Sequence, residues 1–321
     1  MNKETIAEHL GFVLEETNFQ DLGLKRKGKV RDVYDQGDKL VLIATDRYSA
    51  FDRNLTLIPL KGQALTAITA FWFDKTKQIV PNHVIGIPDP NVIIAKKCEV
   101  IPIEVVVRGY ITGVTSTALW TKYQEGERDF GSFILPEGLK KNQKLERPVL
   151  TPTTKSDVHD RPITVKEIIE EGLVESKRWQ QVEDVAFRLF EFGQKLALGK
   201  GLILVDTKYE FGIAPDGTLT LIDEIHTPDS SRYWQAGSYE ERFEQGLEPE
   251  YFDKEFLRLW FKEHCDPYKD KILPEAPKDK IAELAHRYVQ ICEQLTGEEF
   301  RIDFELNPEE RIRKNLEKPG S

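Results

Sequence analysis

Residues 201–223 read GLILVDTKYEFGIAPDGTLTLID, and this stretch decides the fold class. An apolar run leads into Asp206, Lys208 and Glu210, each two residues from the next; Ala214-Pro215-Asp216-Gly217 then precedes a second apolar run. The pattern predicts a strand, a turn and a strand. Side chains alternate along a strand, so Asp206, Lys208 and Glu210 share one face. With Asp216-Gly217 as a two-residue hairpin turn, Glu210 pairs directly with Asp223. Facing carboxylates repel, and a divalent cation between them removes the repulsion. Oxygen-only ligation favours Mg2+ or Mn2+ over zinc. A four-residue loop shifts the pair but keeps both carboxylates on one face; a three-residue loop breaks the argument. The apolar flanks suggest a buried hairpin, where unpaired charge is costly. A solvated polar face on an edge hairpin is the competing reading.

Outward from this hairpin, strands gather early and helices late. Residues 29–35 (KVRDVYD) and 39–45 (KLVLIAT) flank Gln36-Gly37-Asp38, a hairpin signal. Residues 55–60, 92–100 and 103–108 (IEVVVR) read as further strands. Leu65, Ile68 and Trp72 fall on one face of a helix over 62–80. Segment 124–162 has few apolar clusters and reads as a long loop, which a compact domain keeps only for function or mobility. Thr164 and Glu167 form a capping box at a helix start. A long helix follows over 175–199, with Trp179, Val182, Ala186, Leu189, Phe190, Gly193 and Ala197 on one face. This order favours α+β over an alternating β/α fold. The 321 residues suit roughly two domains, expected at 1–100, mainly β, and 101–321, α+β with the C-terminal helices.

Composition narrows the function classes. With 45 basic and 55 acidic residues the net charge is −10, which disfavours a coat for nucleic acid or an anionic membrane. No apolar run approaches the roughly 20 residues of a membrane span. The N-terminus, MNKETIAEHLGF, lacks a signal-peptide core. Cys98, Cys265 and Cys292 make neither a CxxC nor a zinc spacing. These features predict a reduced, cytoplasmic protein with no nucleic-acid or membrane partner.

Phosphate binders are present but not as a P-loop. Gly23-x4-Gly28-Lys29 fails that motif because Val30 replaces Ser/Thr and a strand follows. A strand–turn–strand flap is the alternative, with Gly28, Lys29 and Arg31 over phosphates and Lys29 and Arg31 on one strand face. The same basic cluster also reads as a solvated patch or an RNA contact. Arg108 ends an apolar strand before Gly109-Tyr110-Ile111-Thr112-Gly113, a placement suited to bidentate recognition of phosphate or carboxylate, or to an internal ion pair. Asp229-Ser230-Ser231-Arg232 adds hydroxyls and a second guanidinium, and Thr45 to Asp52 (TDRYSAFD) puts polar groups at a strand end. His159 and His226 stand out among the histidines only through their neighbours.

Together these residues resemble a known family. VIPIEVVVRGYITG (100–113) and LVDTKYEFG (204–212) are similar to the two signature stretches of the SAICAR synthetase (phosphoribosylaminoimidazole-succinocarboxamide synthase) family of purine biosynthesis. GKVRDVYD, ATDRYSAFD and IDEIHTPDSSRYW resemble its accompanying motifs in the same order. The resemblance implies a two-lobed α+β fold, with an antiparallel-sheet N-terminal lobe, a larger α/β C-terminal lobe and an ATP cleft between them. It implies an ATP-dependent carboxylate–amine ligase that joins L-aspartate to carboxyaminoimidazole ribotide through an acyl phosphate. It further implies ATP contacts at Gly28, Lys29, Val30, Arg31, Lys96, Glu99 and Ile101, and Mg2+ ligands at Glu210 and Asp223. Asp206 and Lys208 would stand beside the reacting carboxyl and γ-phosphate. Asp46, Ser49, Arg108, Asp229, Ser231 and Arg232 would bind the ribotide, and Lys155 and His159 the aspartate. The family usually has serine after the YITG-like stretch; here Val114 follows, and Thr115 or Ser116 would supply the hydroxyl. A small-molecule kinase is the competing enzyme, but the HRD signature is absent and Asp129-Phe130-Gly131 stands without it, so the paired HRD and DFG signatures are not present.

Overall fold

Period-two apolar patterning in the first hundred residues zips into an antiparallel sheet. The structure, a computed structural model, describes residues 1–51, 53–155, 161–252, 254–302 and 304–318. Helix α1 (Lys3–Glu8) precedes β1 (Leu24–Lys27), β2 (Arg31–Asp35) and β3 (Lys39–Ala44). A short ribbon, β4 (Arg47–Ala50) and β5 (Arg53–Leu57), leads to α2 (Lys61–Thr76), β6 (Val84–Asp89) and β7 (Val92–Lys96). The sheet runs β1-β2-β3-β7-β6, with every neighbour antiparallel. Leu14, Phe19, Tyr34, Val41, Ile43 and Val92 form one core cluster on it.

The second sheet is built on two long strands, β8 (Glu99–Ile111) and β11 (Leu202–Ile213). Between them come α3 (Leu119–Gln124), β9 (Gln143–Leu150), β10 (Thr153–Thr154), α4 (Val165–Glu170) and α5 (Ser176–Gly199). Strands β12 (Leu219–Ile222) and β13 (Ser231–Gln235) follow, then α6 (Ala236–Glu244), α7 (Glu255–His264), α8 (Lys278–Thr296) and α9 (Pro308–Leu316). The sheet order is β10-β8-β11-β12, with β9 also on β8 and β13 also on β11. Helix α5 buries the seven residues expected on its inner face, and α4 carries the Thr164–Glu167 capping box. The class is α+β, as expected. Among the described residues no helix is long and apolar enough to cross a membrane.

The chain divides by packing into two units. One takes Met1–Trp72, His83–Lys97 and, from Phe252, the described C-terminal residues; the other takes Phe73–Asn82 and Cys98–Tyr251. One change of unit falls after Lys97 and another before Phe252. The C-terminal segment differs from the expected partition, since it packs with the first unit. Ile312 of α9 enters that unit's core, and the buried Arg311 bonds Asp89 (3.0 and 3.2 Å) and Asn91 (2.5 Å).

Four local expectations are corrected. The strand expected over 92–100 is two strands, because β7 ends at Lys96 and β8 starts at Glu99. The loop expected over 124–162 contains β9 and β10; β9, QKLERPVL, is too charged to show alternation but completes its hydrogen bonds on β8. Lys29 does not share a strand face with Arg31. It lies in the β1–β2 turn, which the Gly28 amide closes by donating to the Arg31 carbonyl (2.8 Å). The β11–β12 register pairs Glu210 with Ile222, not Asp223. Ala214 and Thr218 close the hairpin around three residues, so the pairing is one residue out of the expected register.

Candidate functional site

Strand β11 is the axis of the polar site. From Asp206 to Glu210 it pairs continuously with β8, so Asp206 stands opposite Arg108, Lys208 opposite Val106 and Glu210 opposite Glu104. The carboxylate facing Glu210 is therefore Glu104 on β8 rather than Asp223 on β12. A register shift against β13 between Leu204 and Asp206 re-aims the chain just before the charged row, a usual service of a β-bulge.

The first half of the row is Asp206 with two arginines. Arg108 Nη1 donates to Asp206 Oδ2 (3.4 Å) and Arg108 Nε to Thr151 Oγ1 (2.8 Å), while Arg232 Nη1 donates to the same Asp206 oxygen. Burial pulls the Arg108 guanidinium down to about 10, and Asp206 opposes that fall. Both guanidiniums converge on one oxygen of a buried carboxylate. Gly113, at φ +101°, keeps the space beside Arg232 open: a Cβ there would stand 3.2 Å from Arg232 Nη2 and 2.6 Å from the Ala118 Cβ.

The second half gathers around Lys208. Its ammonium bonds Glu210 and, at 3.1 Å, Glu104, and lies 4.0 Å from Asp223 Oδ2. Asp223 reaches the cluster despite the register because its backbone turns left-handed (φ 65°) as it leaves β12. Lys155 also bonds Glu210, and Thr153 donates to the far oxygen of Glu104 (3.3 Å). Burial works against the charge on Lys208, yet Glu210, Glu104 and Asp223 hold its pKa well above the usual lysine value. Burial likewise opposes ionisation of Glu210, and Lys208 and Lys155 outweigh it to hold that carboxylate below its usual range. Among the described residues, three carboxylates and two ammoniums meet here. No three His, Cys, Asp or Glu among the described residues are arranged to hold a metal by themselves. Glu210 and Asp223 fit instead the habit of Mg2+, which takes one or two carboxylates and completes its shell with phosphate and water.

Beneath the row, Tyr209 turns to the other face, where its hydroxyl meets His226 Nε2 (2.6 Å). His226 is fully buried, and burial lowers its pKa to about 3, so the ring is neutral and packed rather than offered to a substrate. Gly193 of α5 makes room for it: a Cβ there would lie 2.3 Å from His226 Cε1. Tyr233 donates to the His226 carbonyl (2.7 Å). Ser231 donates its hydroxyl to Thr207 (2.8 Å), so this predicted ribotide ligand is engaged inside the fold. Asp229 is half-buried at the start of the same segment.

The other predicted residues fall as follows. Ser116 is exposed in the turn before α3. His159 lies outside the described residues. Lys96 ends β7 and is exposed, Glu99 opens β8 and is exposed, and Ile101 is buried. In the first unit, Lys29 is exposed in its turn and Val30 lends its carbonyl to the Thr45 amide (3.0 Å) and hydroxyl (2.6 Å). Ser49 is half-buried on β4. Asp46 is buried, with its two oxygens taken by the amides of Leu14 (2.7 Å) and Gly62 (2.9 Å); burial raises it to about 6 against those bonds.

Two charged residues were missed in the sequence. Arg47 reaches under the β1–β2 turn, donating to the carbonyls of Gly28 (3.0 Å) and Lys29 (3.3 Å) and to Asp32 (2.8 Å). Glu104 was passed over inside an apolar strand. The available signal was that it stands four residues before Arg108, on the same strand face.

A paired-arginine site and a carboxylate–lysine site lie along β11 of a mixed α+β fold, an arrangement suited to an enzyme that handles anionic substrates. The SAICAR synthetase family model matches residues 24–274. The phosphoribosylaminoimidazole-succinocarboxamide synthase of Legionella pneumophila (strain Lens) is 56% identical over 307 residues, covering 95% of this chain and 98% of its own. A Saccharomyces cerevisiae SAICAR synthase structure, complexed with SAICAR, superposes with a TM-score of 0.78 at 31% identity, covering 90% of this chain and 100% of that one. A type-2 SAICAR synthetase in complex with ADP gives 0.66 at 25% identity, covering 87% and 100%. The chain belongs to the SAICAR synthetase family. It is a ligase with that family's fold.

Proposed function

We propose that this ligase joins L-aspartate to carboxyaminoimidazole ribotide at the expense of ATP, giving the succinocarboxamide ribotide, ADP and phosphate. A carboxylate is a poor acyl donor because its oxygen leaves badly. Transfer of the γ-phosphoryl group to a ribotide carboxylate oxygen makes an acyl phosphate; the aspartate amine then attacks the acyl carbon, phosphate leaves and the amine proton is lost. Such chemistry asks mainly for positioning and charge neutralisation.

The carrying observation is the arrangement along β11, with the guanidiniums of Arg108 and Arg232 on Asp206 at one end and Glu210 and Asp223 around Lys208 at the other. The arginines hold the ribotide, chiefly its phosphate, with Asp229 beside them. Asp206 fixes the two guanidiniums, and Lys208 aims its ammonium at the transferring phosphoryl group. Glu210 and Asp223 hold Mg2+, which when bound supplies charge neutralisation for the nucleotide phosphates. Lys155 and His159 serve the aspartate. In the first unit the Gly28–Arg31 turn takes nucleotide phosphates, and Lys96 with the backbone at Glu99 and Ile101 takes the adenine side. Asp46 has no binding role in this reading, since backbone amides occupy both its oxygens. Cytoplasmic operation as a monomer or homodimer belongs to the same proposal. The relatives bound to SAICAR and to ADP support a ribotide product and a nucleotide.

Purified protein supplied with ATP and Mg2+ should release ADP only when both the ribotide and aspartate are present. Release without aspartate, leaving a stable phosphorylated product, would contradict the ligase reading and favour a kinase.

A further inference from the structure

Glu104 and Glu210 face each other directly across the β8–β11 ladder, an arrangement of like charges that destabilises a bare sheet. The ammonium of Lys208 bonds both and also faces Asp223 (4.0 Å), so a resident cation occupies the carboxylates proposed above as metal ligands. Glu104 differs from the other two acids in its second partner: Thr153 fixes its far oxygen from β10 (3.3 Å).

We propose that Glu104 is the positioning residue for Lys208, retaining its ammonium in the site when Glu210 and Asp223 turn to a nucleotide-bound divalent cation. The inference rests on the Mg2+–nucleotide reading given above. The ammonium is shared among three carboxylates in the structure; after the exchange Glu104 is its one remaining carboxylate partner of the three. The Glu104–Lys208 pair is therefore worth more in the bound state than in the free state, and such a difference is what shifts a binding equilibrium. Without Glu104 the ammonium is left, among its carboxylate partners in the described residues, with Glu210 and Asp223, and competes longer for them. Lys155, more exposed than Lys208, leaves Glu210 with less resistance.

The test is the Mg2+ concentration at half-maximal ADP binding, read by titration calorimetry on the full chain, so that no turnover enters. Glu104→Gln should raise that midpoint roughly three- to tenfold, the scale of a partly exposed charged hydrogen bond. Lys208→Gln, which removes the competitor, should lower it. Glu104→Gln placed in the Lys208→Gln background should leave the midpoint unmoved, because a positioning residue acts only through the group it positions. Glu104→Asp, which keeps the charge on a shorter arm, should fall between wild type and Glu104→Gln, and it carries the test if the Lys208 variant does not fold. An unchanged midpoint in Glu104→Gln would overturn the inference. So would an equal rise in both backgrounds, which would make Glu104 a direct metal ligand. Wild-type ADP binding that ignores Mg2+ would overturn the metal reading itself, and this inference with it.

Discussion

Asp46 and Asp206 are both buried aspartates, and they keep opposite company. At the β3–β4 corner, Asp46 accepts from two backbone amides, of Leu14 and Gly62, and so ties three separate pieces of chain together. On β11, Asp206 accepts from the side chains of Arg108 and Arg232. A backbone amide cannot leave without unfolding its segment; a guanidinium or ammonium can turn toward a ligand at small cost. The corner is therefore bonded to backbone that cannot move away, and the β11 row to side chains that can exchange partners with a ligand, although both stretches look equally polar in the sequence.

The largest effect expected from this contrast is on turnover. Asp223→Asn should lower kcat by on the order of 10²–10³-fold while leaving the melting temperature near wild type. Near-normal kcat would remove Asp223 from the site. The corner should answer in reverse. Asp46→Ala strands two buried amides and should cost about 2–4 kcal/mol of unfolding free energy, with the folded enzyme's kcat largely kept. Urea melts and active-site-normalised rates separate the two; a loss of kcat without loss of stability would erase the contrast.

His226 sharpens it through pH. Its folded pKa is depressed to about 3 from 6.5, so its stabilising effect is full above 6.5 and lost as pH falls toward 3. Linkage makes that loss about 2 kcal/mol between pH 7 and pH 5. His226→Gln should lose correspondingly less over this interval, and equal losses would show that the ring is not held neutral. Asp46 works with the opposite sign, because its folded pKa is raised: its contribution is full below 3.8 and fades as pH rises through about 6. The smallest effect is on ribotide affinity. Arg108→Ala should raise the ribotide KM about tenfold with a smaller change in kcat, the worth of one charge-assisted contact. An unchanged KM would leave Arg108 as Asp206's partner only.

The sequence makes the β11 row legible because alternation on a strand is a local rule. Asp206, Lys208 and Glu210 had to share a face whatever their neighbours. The helix start at Thr164 is legible for the same reason, since its capping box closes within four residues. Register is not local. Whether Glu210 meets Asp223 or Glu104 depends on a three-residue loop and on pairing with a strand a hundred positions earlier. Asp223 still joins the cluster through one left-handed backbone angle that no spacing rule foretells. The fate of Asp46 was hidden likewise, because its partners, the amides of Leu14 and Gly62, carry no side-chain signature. Strand β9 was missed because Lys144, Glu146 and Arg147 obscure its alternation.

The central claim is that the second half of the β11 row exchanges its internal cation for a metal–nucleotide complex. Crystals grown with Mn2+ and ADP test it through the anomalous signal of the metal. The account predicts Mn2+ within about 2.2 Å of carboxylate oxygens of Glu210 and Asp223, with Lys208 still against Glu104. A metal bound elsewhere, with Glu210 and Asp223 still closed on Lys208, would contradict it.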